Sequence, residues 1–156
     1  MSPRVEFIAV AQRVISDTTT FTLTLVDLVE NINIRSNAFP EENAPTKWHS
    51  LSPPPQVLVI FEWSGEKAKP SIVEQVIVTP TGAKHVVPFL EPFQILPPPV
   101  KHERPRARGL WHLVSLPINV AGRYELQILI DGEVATSYAL SVNKIAVEAP
   151  GQTSSS

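Results

Sequence analysis

A chain of 156 residues is one ordinary domain, long enough to bury a single well-developed core. Charged residues are only 18% against 43% hydrophobic, net charge is −2 and cysteine is absent. Those values exclude disulfides, thiolate nucleophiles, cysteine-based zinc sites and any global field toward nucleic acid or anionic lipid. They leave room for a neutral or apolar surface that a partner covers. The 16 prolines, set among Val/Ile/Thr-rich runs, argue against long helices. Glu6 and Arg13 interrupt the first apolar run, so it does not read as a signal peptide. No run reaches the roughly 18 apolar residues of a membrane span, and a cytoplasmic location is expected.

Val5–Ile15 and Thr20–Ile34 read as two strands joined by a polar turn at Ser16–Thr19. In the second, Phe21, Leu23 and Leu25 alternate with threonines, after which Leu28, Ile32 and Ile34 carry the apolar face. A β-bulge near Val26–Asp27–Leu28 accounts for that slip. Ser36–Pro55 reads as a long loop holding Trp48 and His49, and Gln56–Trp63 as a central strand covered on both faces. Ser64–Pro70 is a charged turn and Ser71–Thr79 a strand. Pro80–Gly82 is a turn, and Ala83–Ile95, with Pro88 and Pro92, an edge segment. The sequence PPPVKHERPRARGLWH (97–112) then bridges to a strand at Leu110–Leu116, and Pro117–Gly122 is a loop.

The last hairpin turns at Asp131-Gly132. A three-residue turn over Asp131–Glu133, with Gly132 left-handed in a G1 bulge, pairs Ile130 with Val134 and Ile128 with Thr136. It also pairs Leu126 with Tyr138 and Tyr124 with Leu140, which puts the apolar side chains on one face. Tyr124, just after Gly122, has the placement of a tyrosine corner. The whole is an all-β, antiparallel β-sandwich of about eight strands, immunoglobulin-like or C2-like. It forms a single domain over residues 1–147 with a disordered tail over 148–156.

The strand VEFIAVAQRV, the Asp27-bearing strand running to Phe39-Pro40, the PPP run and GRYELQILIDGEVATSYALSV together resemble a bacterial family of small β-sandwich proteins, a domain of unknown function. The resemblance covers most of residues 4–143. It implies a fold and carries over no functional residues.

No Gly-x-Ser-x-Gly elbow is present, and only Asp27 among three aspartates lies on a strand, so nothing favours a nucleophilic triad. His49, His85, His102 and His112 form no close-spaced ligand pair, and neither a metal nor a cofactor is expected. Lys101, Arg104, Arg106 and Arg108 give a local basic excess, with guanidinia at alternate positions on one side of an extended segment. Net negative charge and the lack of interleaved aromatics argue against nucleic acid. Trp48, in a long loop, is the aromatic best placed for an interface. The reading is a non-enzymatic module that recognises a protein partner through loops or sheet edges and can self-associate. The alternative is an anion-binding module using residues 101–108, and the third a hydrolase with an unrecognised site.

Overall fold

Period-two patterning resolves into twelve strands in a computed structural model that describes residues 3–17, 19–20, 22–41, 44–63, 71–89, 94–95 and 106–146. The expected turn at Ser64–Pro70 and the tail over 148–156 lie outside the described residues. Twelve exceeds the eight anticipated because three long segments break and one loop gains a strand. The first sheet contains β1 (Arg4–Ser16), β2 (Leu23–Leu28), β5 (Gln56–Glu62) and β9 (Arg106–His112), in the order β2-β1-β5-β9, all antiparallel. As expected, the nearly continuous apolar run of β5 is central, with Val57, Val59 and Phe61 fully buried on its inner face.

The second sheet runs β3 (Asn31–Arg35), β12 (Glu133–Ile145), β11 (Gly122–Ile130), β6 (Ser71–Val78), β7 (Lys84–Val87), and β8 (Gln94–Ile95) pairs with β6. The edge placement expected of Ala83–Ile95 holds: β7 ends this sheet. Inward residues of β11, namely Tyr124, Leu126, Ile128 and Ile130, pack with Leu140 and Val142 of β12 against the first sheet. A two-stranded ribbon of β4 (Lys47–Ser50) and β10 (Ser115–Ile118) completes the fold. The supposed loop Ser36–Pro55 therefore carries a strand, and part of the supposed loop Pro117–Gly122 is its partner.

The expected bulge near Asp27 is absent. Pairing of β1 with β2 keeps one register through Arg13↔Val26 and Ala11↔Leu28. Asp27 instead adopts a left-handed φ of 52°, and Val29 still donates to the Val10 carbonyl at 2.7 Å. The phase changes beyond Val29, where the chain leaves the first sheet and joins the second as β3. There it lies parallel to β12, with Asn31 opposite Ser141, the one departure from antiparallel pairing among the described strands. Val29 is buried at this crossover, and Tyr138 donates to its carbonyl at 2.9 Å. Burial, then the nearby Glu30 carboxylate, raises the pKa of that Tyr138 hydroxyl.

In the last hairpin the pairs Tyr124↔Leu140, Leu126↔Tyr138 and Ile128↔Thr136 are those expected, but the turn is not. Ile130 pairs with Glu133, so the loop is two residues, Asp131 (φ 50°) and Gly132 (φ 86°), both in the positive region a type I′ turn requires. The extra residue falls between Ile128 and Leu129 in the register, which leaves Ala135 unpaired.

Tyr124 forms the tyrosine corner. Its hydroxyl donates to the Val120 carbonyl at 2.7 Å and accepts the Asn119 N–H at 3.1 Å. Asn119 also donates to Thr79 and Thr81 at 3.1 and 2.7 Å, tying this corner to the turn between β6 and β7. Gly122 lies between these residues with φ 148°, and a Cβ there would meet the Pro80 ring at 3.0 Å. Gly122→Ala is accordingly expected to destabilise by about 1–3 kcal/mol, read as a lowered urea midpoint with an unchanged slope.

Candidate functional site

Of the basic residues singled out in the sequence, Lys101 and Arg104 lie outside the described residues. Arg106 and Arg108 are not on a connecting loop: they belong to β9, which pairs with β5 along its full length from Glu62↔Arg106 to Gln56↔His112. They do share one face, the outer face of the first sheet, as alternation requires. Arg106 has carboxylate partners there. Its guanidinium contacts Glu6 at 2.9 Å and Glu62 at 3.2 Å, while Arg4 contacts Glu62 at 2.9 Å from the other neighbouring strand. Two guanidinia thus meet two carboxylates at the end of β1, β5 and β9.

Glu62 is 1% exposed, and burial alone would raise its carboxyl pKa. The hydrogen bonds from Arg4 and Arg106 outweigh burial and hold it below the ordinary 4.5. A depressed folded-state pKa stabilises above the unfolded value and loses that contribution as pH falls through the folded one. Stability is therefore expected to be flat from about pH 7 down to 4.5 and to decline below it, with a shallower acid limb in Glu62→Gln. Urea titrations at stepped pH check this. Asp17 pulls the same way, its carboxylate accepting the Thr19 and Thr20 N–H groups in the β1–β2 turn at 2.8 and 3.0 Å.

Trp48 stands on β4 opposite Pro117, 44% exposed, with its ring edge-on to His85 at 6.2 Å between centroids. Trp63 is buried, and Trp111 donates to the buried Gln75 at 2.9 Å. Among the described residues no group of three His, Asp or Glu side chains is placed to hold a metal ion. No described helix is long and apolar enough to cross a membrane.

The site that the fold builds lies elsewhere, in a groove of about 390 Å³ where the edge of the second sheet faces the first. That is within the size range of ligand sites. One wall is β3: Asn31, Ile32, Asn33 and Ile34 all line it. Alternate side chains of a strand leave on opposite faces, so four consecutive residues line one groove only where it runs along the backbone edge. The opposite wall is the segment from His49 to Pro53, with Pro55, and Gln12 of β1 borders it. Its polar residues are amides, serine hydroxyls and one imidazole, and none of its lining residues is Asp, Glu, Lys or Arg. Neither the basic residues nor Trp48 line it, and Asp27 is outside it too. No residue-level signal marks Asn31, Asn33 or Gln12, which are ordinary polar positions until the sheet order is known.

Two facing sheets, a chain that crosses between them at Glu30, and a tyrosine corner define an immunoglobulin-like β-sandwich. No family model matches the chain, and no curated protein matches it. Among solved structures it is similar to the Pseudomonas fluorescens alkylpurine DNA glycosylase AlkC bound to DNA containing an abasic site analogue. That similarity has 14% identity and a TM-score of 0.43, and covers 87% of this chain but only 30% of the glycosylase chain. It is also similar to an immunoglobulin-like protein from Pseudomonas aeruginosa, at 12% identity and a TM-score of 0.37, over 90% of this chain and 96% of that one.

Proposed function

We propose that the protein is a non-enzymatic binding module, which recognises a protein partner through the groove between β3 and the His49–Pro55 segment. The observation that carries this reading is a sheet edge, unpaired by any described strand, set in a groove without charged lining residues. Amides and hydroxyls there offer both donors and acceptors, as a peptide requires, while the one imidazole, His49, has no carboxylate in the groove to orient it as the base of a triad. An anionic ligand is poorly matched, because the lining carries no cation and Arg106 is engaged by Glu6 and Glu62. A cytoplasmic setting and bacterial origin are part of the same proposal, from the cysteine-free composition and the family resemblance.

The test is affinity capture from cells that express the protein, using the wild type, Ser52→Arg in the groove and Lys84→Glu on β7, at the opposite edge of the second sheet from β3. A partner retained by the wild type and Lys84→Glu but lost with Ser52→Arg is the expected result. Equal capture by all three contradicts it.

A further inference from the structure

We infer that the groove works by strand addition: β3 accepts an extended, uncharged peptide segment of a partner protein along its free backbone edge. This deepens the binding-module reading and rests on it.

The direction of the backbone groups follows from one hydrogen bond and the register. Ser141 donates to the Glu30 carbonyl at 2.8 Å, and Asn31 lies opposite Ser141 in the parallel ladder. In a parallel pair each strand uses alternate residues to bond its neighbour. Glu30, Ile32 and Ile34 are then the residues whose N–H and C=O groups serve β12. The N–H and C=O of Asn31 and Asn33 point the other way, from a strand that is paired on one side only among the described residues, toward the groove whose wall they form.

Natural sheet edges are commonly blunted by proline, lysine, a bulge or an inward charge. Asn31–Ile34 contains none of these, and its ladder with β12 is unbroken. An edge left in this state can bond the main chain of an incoming strand. The chemistry of the occupant follows from the walls. A partner side chain carrying charge would be desolvated with no counter-charge among the lining residues, so an uncharged segment is selected. A proline facing β3 would forfeit a ladder bond, so that segment lacks proline where it pairs. Every described strand of this chain is already paired in its own sheet, so among the described residues a second copy could offer only a sheet edge, and the groove is bounded on its far side by the His49–Pro53 segment.

The substitution that separates backbone from side-chain recognition is available at Asn33. Asn33→Pro removes an N–H that points into the groove and leaves every main-chain bond to β12, whereas Asn33→Ala keeps that N–H; both lose the side-chain amide, whose oxygen accepts from Asn143 of β12 at 3.2 Å, so their difference isolates the N–H. A phage-displayed random dodecapeptide library is panned on the full chain, and a selected peptide is synthesised and titrated calorimetrically. Selected peptides are expected to be uncharged and proline-free across their centre, to bind Asn33→Ala within about twofold of wild type, and to bind Asn33→Pro at least about tenfold more weakly. Circular dichroism melting confirms that Asn33→Pro is folded. Should it not fold, N-methylation of alternate amides of the peptide makes the same test from the other side, and loss of binding in one of the two methylation phases only is expected.

Undiminished binding to Asn33→Pro overturns strand addition, as does loss in Asn33→Ala or enrichment of charged peptides. A peptide-free dimer in sedimentation that Asn33→Pro dissolves also overturns it, assigning the edge to a second copy. A peptide blocked by Ser52→Arg but indifferent to Asn33→Pro sinks strand addition alone and leaves the groove as the binding site. A peptide indifferent to both variants sinks the groove reading as well.

Discussion

Phe61→Ala is expected to lower the unfolding free energy by about 3–5 kcal/mol. Phe61 is fully buried on the central strand, flanked in register by Val5 on β1 and Ala107 on β9. Its neighbours are smaller and fixed by ladders on both sides, so little of the lost ring volume can be refilled. The remaining cavity adds to the lost transfer free energy. Set against the 5–15 kcal/mol typical of a domain, such a loss leaves a marginal protein. Urea denaturation measures it, and a cost below about 1 kcal/mol would mean that this site collapses freely, against the packing described here.

Tyr124→Phe isolates the tyrosine corner without changing the core. The ring is fully buried, and only the hydroxyl, with its bonds to Val120 and Asn119, is removed. Burial raises the hydroxyl's pKa, partly opposed by those backbone bonds, so it remains a neutral donor throughout the ordinary pH range. A Val120 carbonyl and an Asn119 N–H are left without their partner, at a cost of about 1–3 kcal/mol. For a domain of this length each kcal/mol corresponds to roughly 2–4 °C in Tm. Calorimetry of the variant should show that decrease at any pH near neutrality, with no change in the peptide affinity of the groove, which neither Tyr124, Asn119 nor Val120 lines.

The parts of this fold that the sequence made legible are those where two strong alternations constrain each other. Tyr124, Leu126 and Ile128 against Leu140, Tyr138 and Thr136 admit one register. The turn was not legible for a related reason. Moving the extra residue from the loop to Ala135 leaves every pair from Ile128↔Thr136 onward unchanged, and costs only Val134, which the three-residue turn would bring onto the apolar face and which is exposed in the structure. The crossover at Glu30 was read as a bulge because both devices shift the apolar phase by one, and only the partner strand distinguishes them.

β4 escaped notice because Lys47-Trp48-His49-Ser50 shows no apolar alternation, its pairing being with β10 on a small ribbon. Alternation puts Arg106 and Arg108 on one side of an extended segment, but the connection expected there is, from Arg106 onward, the strand β9. That Arg106 lies directly across from a buried Glu62 is a fact of sheet order, which no local pattern encodes. The groove is hidden for the same reason. β3 lines it because the sheet ends beside β12, a strand more than a hundred residues later in the chain.

The most direct measurement is amide hydrogen exchange of Asn31 and Asn33, followed by NMR with and without the selected peptide. Strand addition predicts that these two amides exchange rapidly in the free protein and become protected on binding, while Ile32 and Ile34, already bonded to β12, change little. Protection that instead appears on β7 or β9, with Asn31 and Asn33 exchanging as fast as before, would contradict it.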